Sequence, residues 1–202
     1  LINIENKDFQ RLYSLFNKFR AKARNDECID DEYWNYFYKI INLYRYRSAL
    51  LPVPFNSKSE ISEEQDNHMI KSISNISEYY PNYKSLVNEI IILWNYLRSS
   101  ESNPYAEEIS KICMNNRNTS VYLIYKDYSL SDNEKNLLQN KCKNLKFKNL
   151  KKYKIQDKIN EISIFLGSRS WYDNDIFTMP LSKKIIFICY NGIYRSKKDI
   201  PI

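Results

Sequence analysis

The sequence predicts an α/β chain, with an all-helical region over residues 1–115 followed by a small, mostly parallel sheet over residues 116–202. Three observations predict it. Apolar residues recur at helical spacing through the first part and give way to β-branched, aromatic runs after the polar NNRN at 115–118. Two of those runs, EISIFLG and KKIIFICYN, are near-continuously apolar, as parallel strands covered on both faces are. The chain has two glycines, Gly167 and Gly192, and each closes such a run, where the backbone must turn without a side chain in the way.

Five helices are expected in the first part. Phe9, Leu12, Phe16 and Phe19 give an amphipathic helix over Lys7 to Arg24. The acidic break NDECIDDE caps the next helix, where Trp34, Phe37, Tyr38, Ile41 and Tyr44 share one face. Pro52 and Pro54 force LLPVPF into extended backbone, and Asn56 to Asp66 is a polar loop. Met69, Ile70, Ile73 and Ile76 make a shorter helix ending at YYP. Tyr83, Leu86, Val87, Ile90, Ile91, Trp94 and Leu97 form the strongest helical pattern of the chain. Asn103 as N-cap and Pro104 at the first helical position start the fifth helix, which runs towards Met114. The aromatic residues on these faces read as core, and no strand is expected before residue 116.

From there the order is β-α-β, a connection of open type, and β-α-β. TSVYLIYK is a strand, and Ser131 with Glu134 forms a capping box that opens the helix SDNEKNLLQNK. LKFKNL alternates as a half-exposed strand, and WYDNDIF is a short helix between the two apolar strands. The pattern is that of a small parallel sheet with crossover connections.

Composition narrows the function classes. At 43% hydrophobic and 15% aromatic residues the chain can bury a core. The longest apolar runs, IIILW and IIFIC, are far short of the ~18 residues of a membrane span. Cys28, Cys113, Cys142 and Cys189 are scattered without CxxC spacing, so reduced thiols in a cytoplasmic protein are expected, with no disulfide framework and no structural zinc. His68, the single histidine, lies in a polar run, which removes a histidine metal site and a Ser-His-Asp triad. Basic and acidic side chains are equal in number over residues 1–100, so the net charge of +7 resides in the second half. Lys135 to Lys158 holds nine lysines and one acid, Asp157, which points to a polyanionic partner.

Three sites carry candidate chemistry. In GSRSWYDND, Gly167 permits a tight turn, and Ser168, Arg169 and Ser170 offer hydroxyl, guanidinium and backbone donors at a helix start, a set suited to phosphate. Trp171 either stacks on a base or pins the loop to the sheet. In KCKNLKFKNLKKYKIQDK, Lys146, Lys148, Lys151 and Lys152 are interleaved with Phe147 and Tyr153. They read equally as a track for a phosphate backbone and as a solvated edge strand protected by its lysines. The third site is Cys189 to Ser196, CYNGIYRS. Its Cys-x5-Arg spacing resembles the loop of low-molecular-weight tyrosine phosphatases, which implies a nucleophile Cys189 and a phosphate-binding Arg195. The departures are that KKDIPI follows where that family has a helix, and that Asp173 or Asp175 would have to serve as the acid. Acidic clusters elsewhere (Asp30, Asp31, Glu32; Glu63, Glu64, Asp66) read as helix-dipole and loop charges, and no metal site is assigned.

From Ser120 onward the succession of SVYLIYK, a capped helix and further strands resembles the second RecA-like domain of superfamily 1 and 2 helicases, a Rossmann-like fold without a Walker A motif of its own. SALLPVPF and FLGSRSWYDNDIFTMP look like parts of large bacterial helicase-like proteins of anti-phage defence. The resemblance covers about half the chain and implies a non-catalytic nucleic-acid module working with other protein domains or subunits. There is no G-x-x-x-x-G-K-[ST], no G-x-G-x-x-G and no Q-x-x-G-R-x-x-R, so no cofactor is expected and ATP hydrolysis would need a domain outside this chain. Leu1 at the start and the short polar tail after the last strand suggest a piece of a longer or trimmed protein.

Overall fold

The computed structural model describes residues 1–26, 32–53, 67, 70–75, 78–126, 130–156, 158–179 and 181–193. They fall into two compact units: Lys7–Ala49 with Phe55–Glu101, and Leu1–Asn6 with Leu50–Pro54 and Ser102–Ile202.

The first unit is helical. It contains α1 (Lys7–Asn25), α2 (Glu32–Ser48), a helical stretch over residues 70–75, a 3-10 turn at Pro81–Tyr83 and α3 (Lys84–Arg98). Phe9, Leu12, Phe16 and Phe19 are all buried, as their spacing on α1 requires, and so are Trp34 and Ile41 on α2. The side chains of Phe37 and Tyr44, and residues 69 and 76, lie outside the described part. Trp34 is the centre of the core. Its ring stands 5.6 Å from Phe19 and 4.7 Å from Tyr83, tying α1, α2 and the turn before α3 together. Burying each such ring stabilises the unit by about 2–3 kcal/mol.

The second unit is α/β. It contains β1 (Ile2–Ile4), α4 (Pro104–Asn115), β2 (Val121–Tyr125), α5 (Asp132–Lys141), β3 (Leu145–Asn149), α6 (Leu150–Lys154), β4 (Asn160–Leu166), α7 (Asp175–Thr178) and β5 (Ser182–Tyr190). The sheet is wholly parallel, in the order β1-β5-β4-β2-β3. Four of its strands are those expected. The fifth, β1, corrects the expectation of no strand before residue 116: Ile2 and Ile4 pair with Ile188 and Tyr190. Three residues carry no periodic signal, and the pairing partner lies at the other end of the sequence. The division at residue 115 is also placed differently, because α4 and Leu50–Pro54 group with the sheet.

Caps fix the helix starts locally. Asn103 Oδ1 accepts from the N–H of Tyr105 (2.8 Å) and of Ala106 (3.4 Å), with Pro104 first in α4. Its Nδ2 also donates to the carbonyls of Leu51 (3.1 Å) and Val53 (2.8 Å), so one buried amide holds the Leu51–Val53 segment against the start of α4. At α5 the capping box is complete: Glu134 N–H donates to Ser131 Oγ (3.3 Å) and Ser131 N–H to Glu134 Oε2 (2.6 Å).

Strand alternation divides the sheet into two faces. Ile124, Phe165 and Phe187 stand on one, under Tyr153 of α6, Tyr172 and Ile176. Val121, Leu123, Ile164 and Ile188 stand on the other, with Tyr190, whose ring lies 4.4 Å from that of Tyr105 on α4. Counted from β2, the order reads 2-1-3-4, that of doubly wound Rossmann-like sheets, with β1 added at the far edge. The chain leaves β2 for β3 on one side and returns to β4 on the other. The switch point therefore lies at the carboxyl ends of β2 and β4, at Tyr125 and Leu166.

Candidate functional site

Gly167 and Gly192 adopt φ of +85° and +83°, the left-handed turns expected where strands close. The loop after Gly167 lies at the switch point, where ligands gather in open α/β sheets. Ser168 is buried. Its Oγ accepts from Ser170 N–H (3.2 Å) and lies 2.7 Å from Ser170 Oγ, capping a three-residue 3-10 turn at Arg169–Trp171. Arg169 is exposed, with its guanidinium 4.5 Å from the ring centre of Phe177 on α7. Trp171 packs across Gly167, within 3 Å of where a Cβ would stand. Of its two sequence readings, this contact supports the pin. Tyr172 Oη donates to the Leu166 carbonyl (2.7 Å) and fastens the loop a second time.

Two residues at this point were not singled out from the sequence. Lys126, the first residue after β2, donates to the Trp171 carbonyl (3.0 Å) and lies 5.1 Å from the Tyr172 ring. With Leu123, Leu130 and Leu166 they line a crevice of about 10 Å³, the space of one water rather than of a nucleotide. A lysine ending the first strand of a β-α-β unit is the signal that points to the position.

The lysine segment divides in two. Lys146, Lys151 and Lys152 are exposed on edge strand β3 and on α6 directly after it. Lys148 is half-buried: it donates to Gln156 Oε1 (2.6 Å) and Asn160 Oδ1 (3.2 Å) and lies 4.8 Å from the Tyr122 ring. Asn160 continues to Ser163, Ser163 to Ser182 and Ser182 to Tyr153, a polar network across the amino ends of β4 and β5. Burial pushes the Lys148 ammonium below its ordinary range. Two of its three ammonium protons are turned to the fold. Lys146 stands 5.7 Å from the same Tyr122 ring but keeps its head in solvent.

Cys189 lies within β5 with no exposure, and its thiol is 3.6 Å from the Tyr190 carbonyl. A nucleophile must meet its substrate, so this placement weighs against the phosphatase alternative. Arg195 lies outside the described residues. Asp173 is ion-paired with Lys154, which holds its carboxyl below the ordinary range, the wrong direction for an acid that must keep its proton. Asp175 opens α7. Among the described residues no three His, Cys, Asp or Glu side chains cluster as metal ligands, and no helix is long and apolar enough to cross a membrane.

No protein-family model, curated protein or solved structure matches the chain.

Proposed function

We propose that this chain is a non-catalytic, helicase-like module that binds nucleic acid through the β3 edge, within a larger cytoplasmic protein or complex of the anti-phage type. One observation carries the reading: Lys146, Lys151 and Lys152 stand exposed on one sheet edge and the helix that follows it. Such a row neutralises phosphates without reading bases, and it releases counterions as it does so. Lys141 and Lys143, exposed just before β3, extend the positive edge.

The test is fluorescence anisotropy with labelled single-stranded and duplex oligonucleotides across a salt series. Wild type is expected to bind at low salt, with affinity falling as salt rises. Replacing Lys146, Lys151 and Lys152 by Gln flattens the salt slope by about 2–3. Lys148 is left intact, since its loss would disturb the Asn160 network. No binding of either oligonucleotide at low salt overturns the proposal.

A second reading, a protein-interaction domain, draws on Ile155 (79% exposed) and Ile159 (55% exposed), which lie between α6 and β4. Nucleic-acid binding that the triple variant leaves unchanged favours it over the first.

A further inference from the structure

Two arginine–tyrosine pairs bridge α1 and α2, and they run in opposite senses. Arg45 of α2 reaches α1, where its Nη1 donates to Tyr13 Oη (2.8 Å) and lies 3.5 Å from Asn17 Oδ1. Arg20 of α1 reaches α2, where its Nε stands 3.5 Å from Tyr38 Oη. The first pair is closed, with the Arg45 guanidinium also over the Tyr13 ring. The second is open and carries more donors.

Arg20 and Arg24 are one turn apart on α1, and Tyr38 and Asn42 one turn apart on α2, so the helical repeat brings all four together. Arg20 makes the direct contact with the Tyr38 oxygen, and the Arg24 and Asn42 side chains add their donors to its surroundings. Burial pushes the Tyr38 phenol up, but those donors outweigh it and bring it down to about 8. The oxygen therefore sits in a field prepared for negative charge. Among the described residues no carboxylate pairs with Arg20 or Arg24. Arg24 is exposed and Arg20 and Tyr38 half-exposed, so an external anion can reach the group. Asn42 Oδ1 is buried and without a hydrogen-bond partner.

We propose that Arg20, Arg24, Tyr38 and Asn42 form a binding site for a phosphate group between α1 and α2. The two guanidinium forks match phosphate oxygens bidentately, and the Tyr38 hydroxyl donates a further bond. The site is separate from the β3 edge and stands or falls independently of it.

The test titrates the full chain with sodium phosphate against sodium chloride at matched ionic strength, read by calorimetry and by tyrosinate ultraviolet absorbance. Phosphate is expected to bind saturably and to move the early tyrosinate transition to higher pH, because a bound anion takes up the arginines. Tyr38→Phe removes that transition. Arg20→Gln with Arg24→Gln weakens phosphate about tenfold or more. Arg24→Gln alone, at an exposed position, serves if the double variant does not fold. The Lys146, Lys151 and Lys152→Gln variant retains phosphate binding. A gain in affinity for a terminally phosphorylated oligonucleotide over its hydroxyl form, lost in the arginine variants, identifies the group as a nucleic-acid end. Saturable phosphate binding without that gain identifies it as free phosphate. Absence of saturation, or unchanged affinity in folded arginine variants, overturns the proposal.

Discussion

The indole of Trp171 occupies the space that a side chain on Gly167 would need. A Cβ there would stand 2.5 Å from Trp171 Cζ3 and 2.9 Å from Leu50 Cδ2, on backbone already at φ +85°. Gly192 has the same backbone, φ +83°, with nothing within 4 Å of its Cβ position. Gly167→Ala is therefore expected to cost about 2–4 kcal/mol, from left-handed strain and overpacking together. Gly192→Ala meets only the strain, about 1 kcal/mol. Urea denaturation of the two variants measures the difference, and equal losses would contradict the packing account.

Asn103 serves two segments with the two ends of one amide. At an ordinary N-cap Asp replaces Asn at little cost. Here Asn103→Asp keeps the acceptor for Tyr105 and Ala106 but sets a carboxylate against the Leu51 and Val53 carbonyls. A loss of about 1–3 kcal/mol is expected, read as a fall in thermal midpoint. Asn103→Asp behaving as a neutral cap swap would show that the amide donor contributes little.

Tyr38 gives stability a pH dependence of definite sign. Its folded value of about 8 lies below the ordinary 10.0, so the native state releases the proton first and the unfolded state binds more protons between the two. The contribution is complete above the unfolded value, shrinks as pH falls through that window and is lost below about 8. Wild type should gain stability over Tyr38→Phe on going from neutral to alkaline pH. Unfolding free energies of the two proteins across that range check the direction, and a constant difference would refute it.

Cys113 is pushed up to about 12, first by burial and then by the neighbouring Cys142, so its thiolate is scarce at neutral pH. Cys142 and Cys189 are buried as well. Iodoacetamide should leave these three unlabelled in the native protein and label them in urea, as peptide mass spectrometry resolves. Native labelling of Cys189 would reopen the phosphatase alternative.

Much of the fold was legible because its signals are local. The α1 face, the Asn103 cap, the Ser131–Glu134 capping box and the two strand-closing glycines each lie within a few residues of what they specify. The site was legible only in outline. Ser168 and Arg169 stand out as residue types, but whether they meet a ligand or the loop itself depends on Phe177 and Ser170. Lys148 reads like Lys146 in the sequence, two residues apart on one strand. Only the approach of Gln156 and Asn160 turns one inward while the other stays in water.

By itself, then, the sequence determined the long helices, four of the five strands, and that the positive charge belongs to the sheet region. Tertiary structure decided the rest: that Ile2–Ile4 joins β5, that α4 packs with the sheet, that Lys148 serves a buried network, and that Arg20 meets Tyr38. The physical reason is range. Hydrophobic period, caps and turns act through neighbours along the chain, whereas strand pairing and polar partnership are settled between residues that only packing brings together.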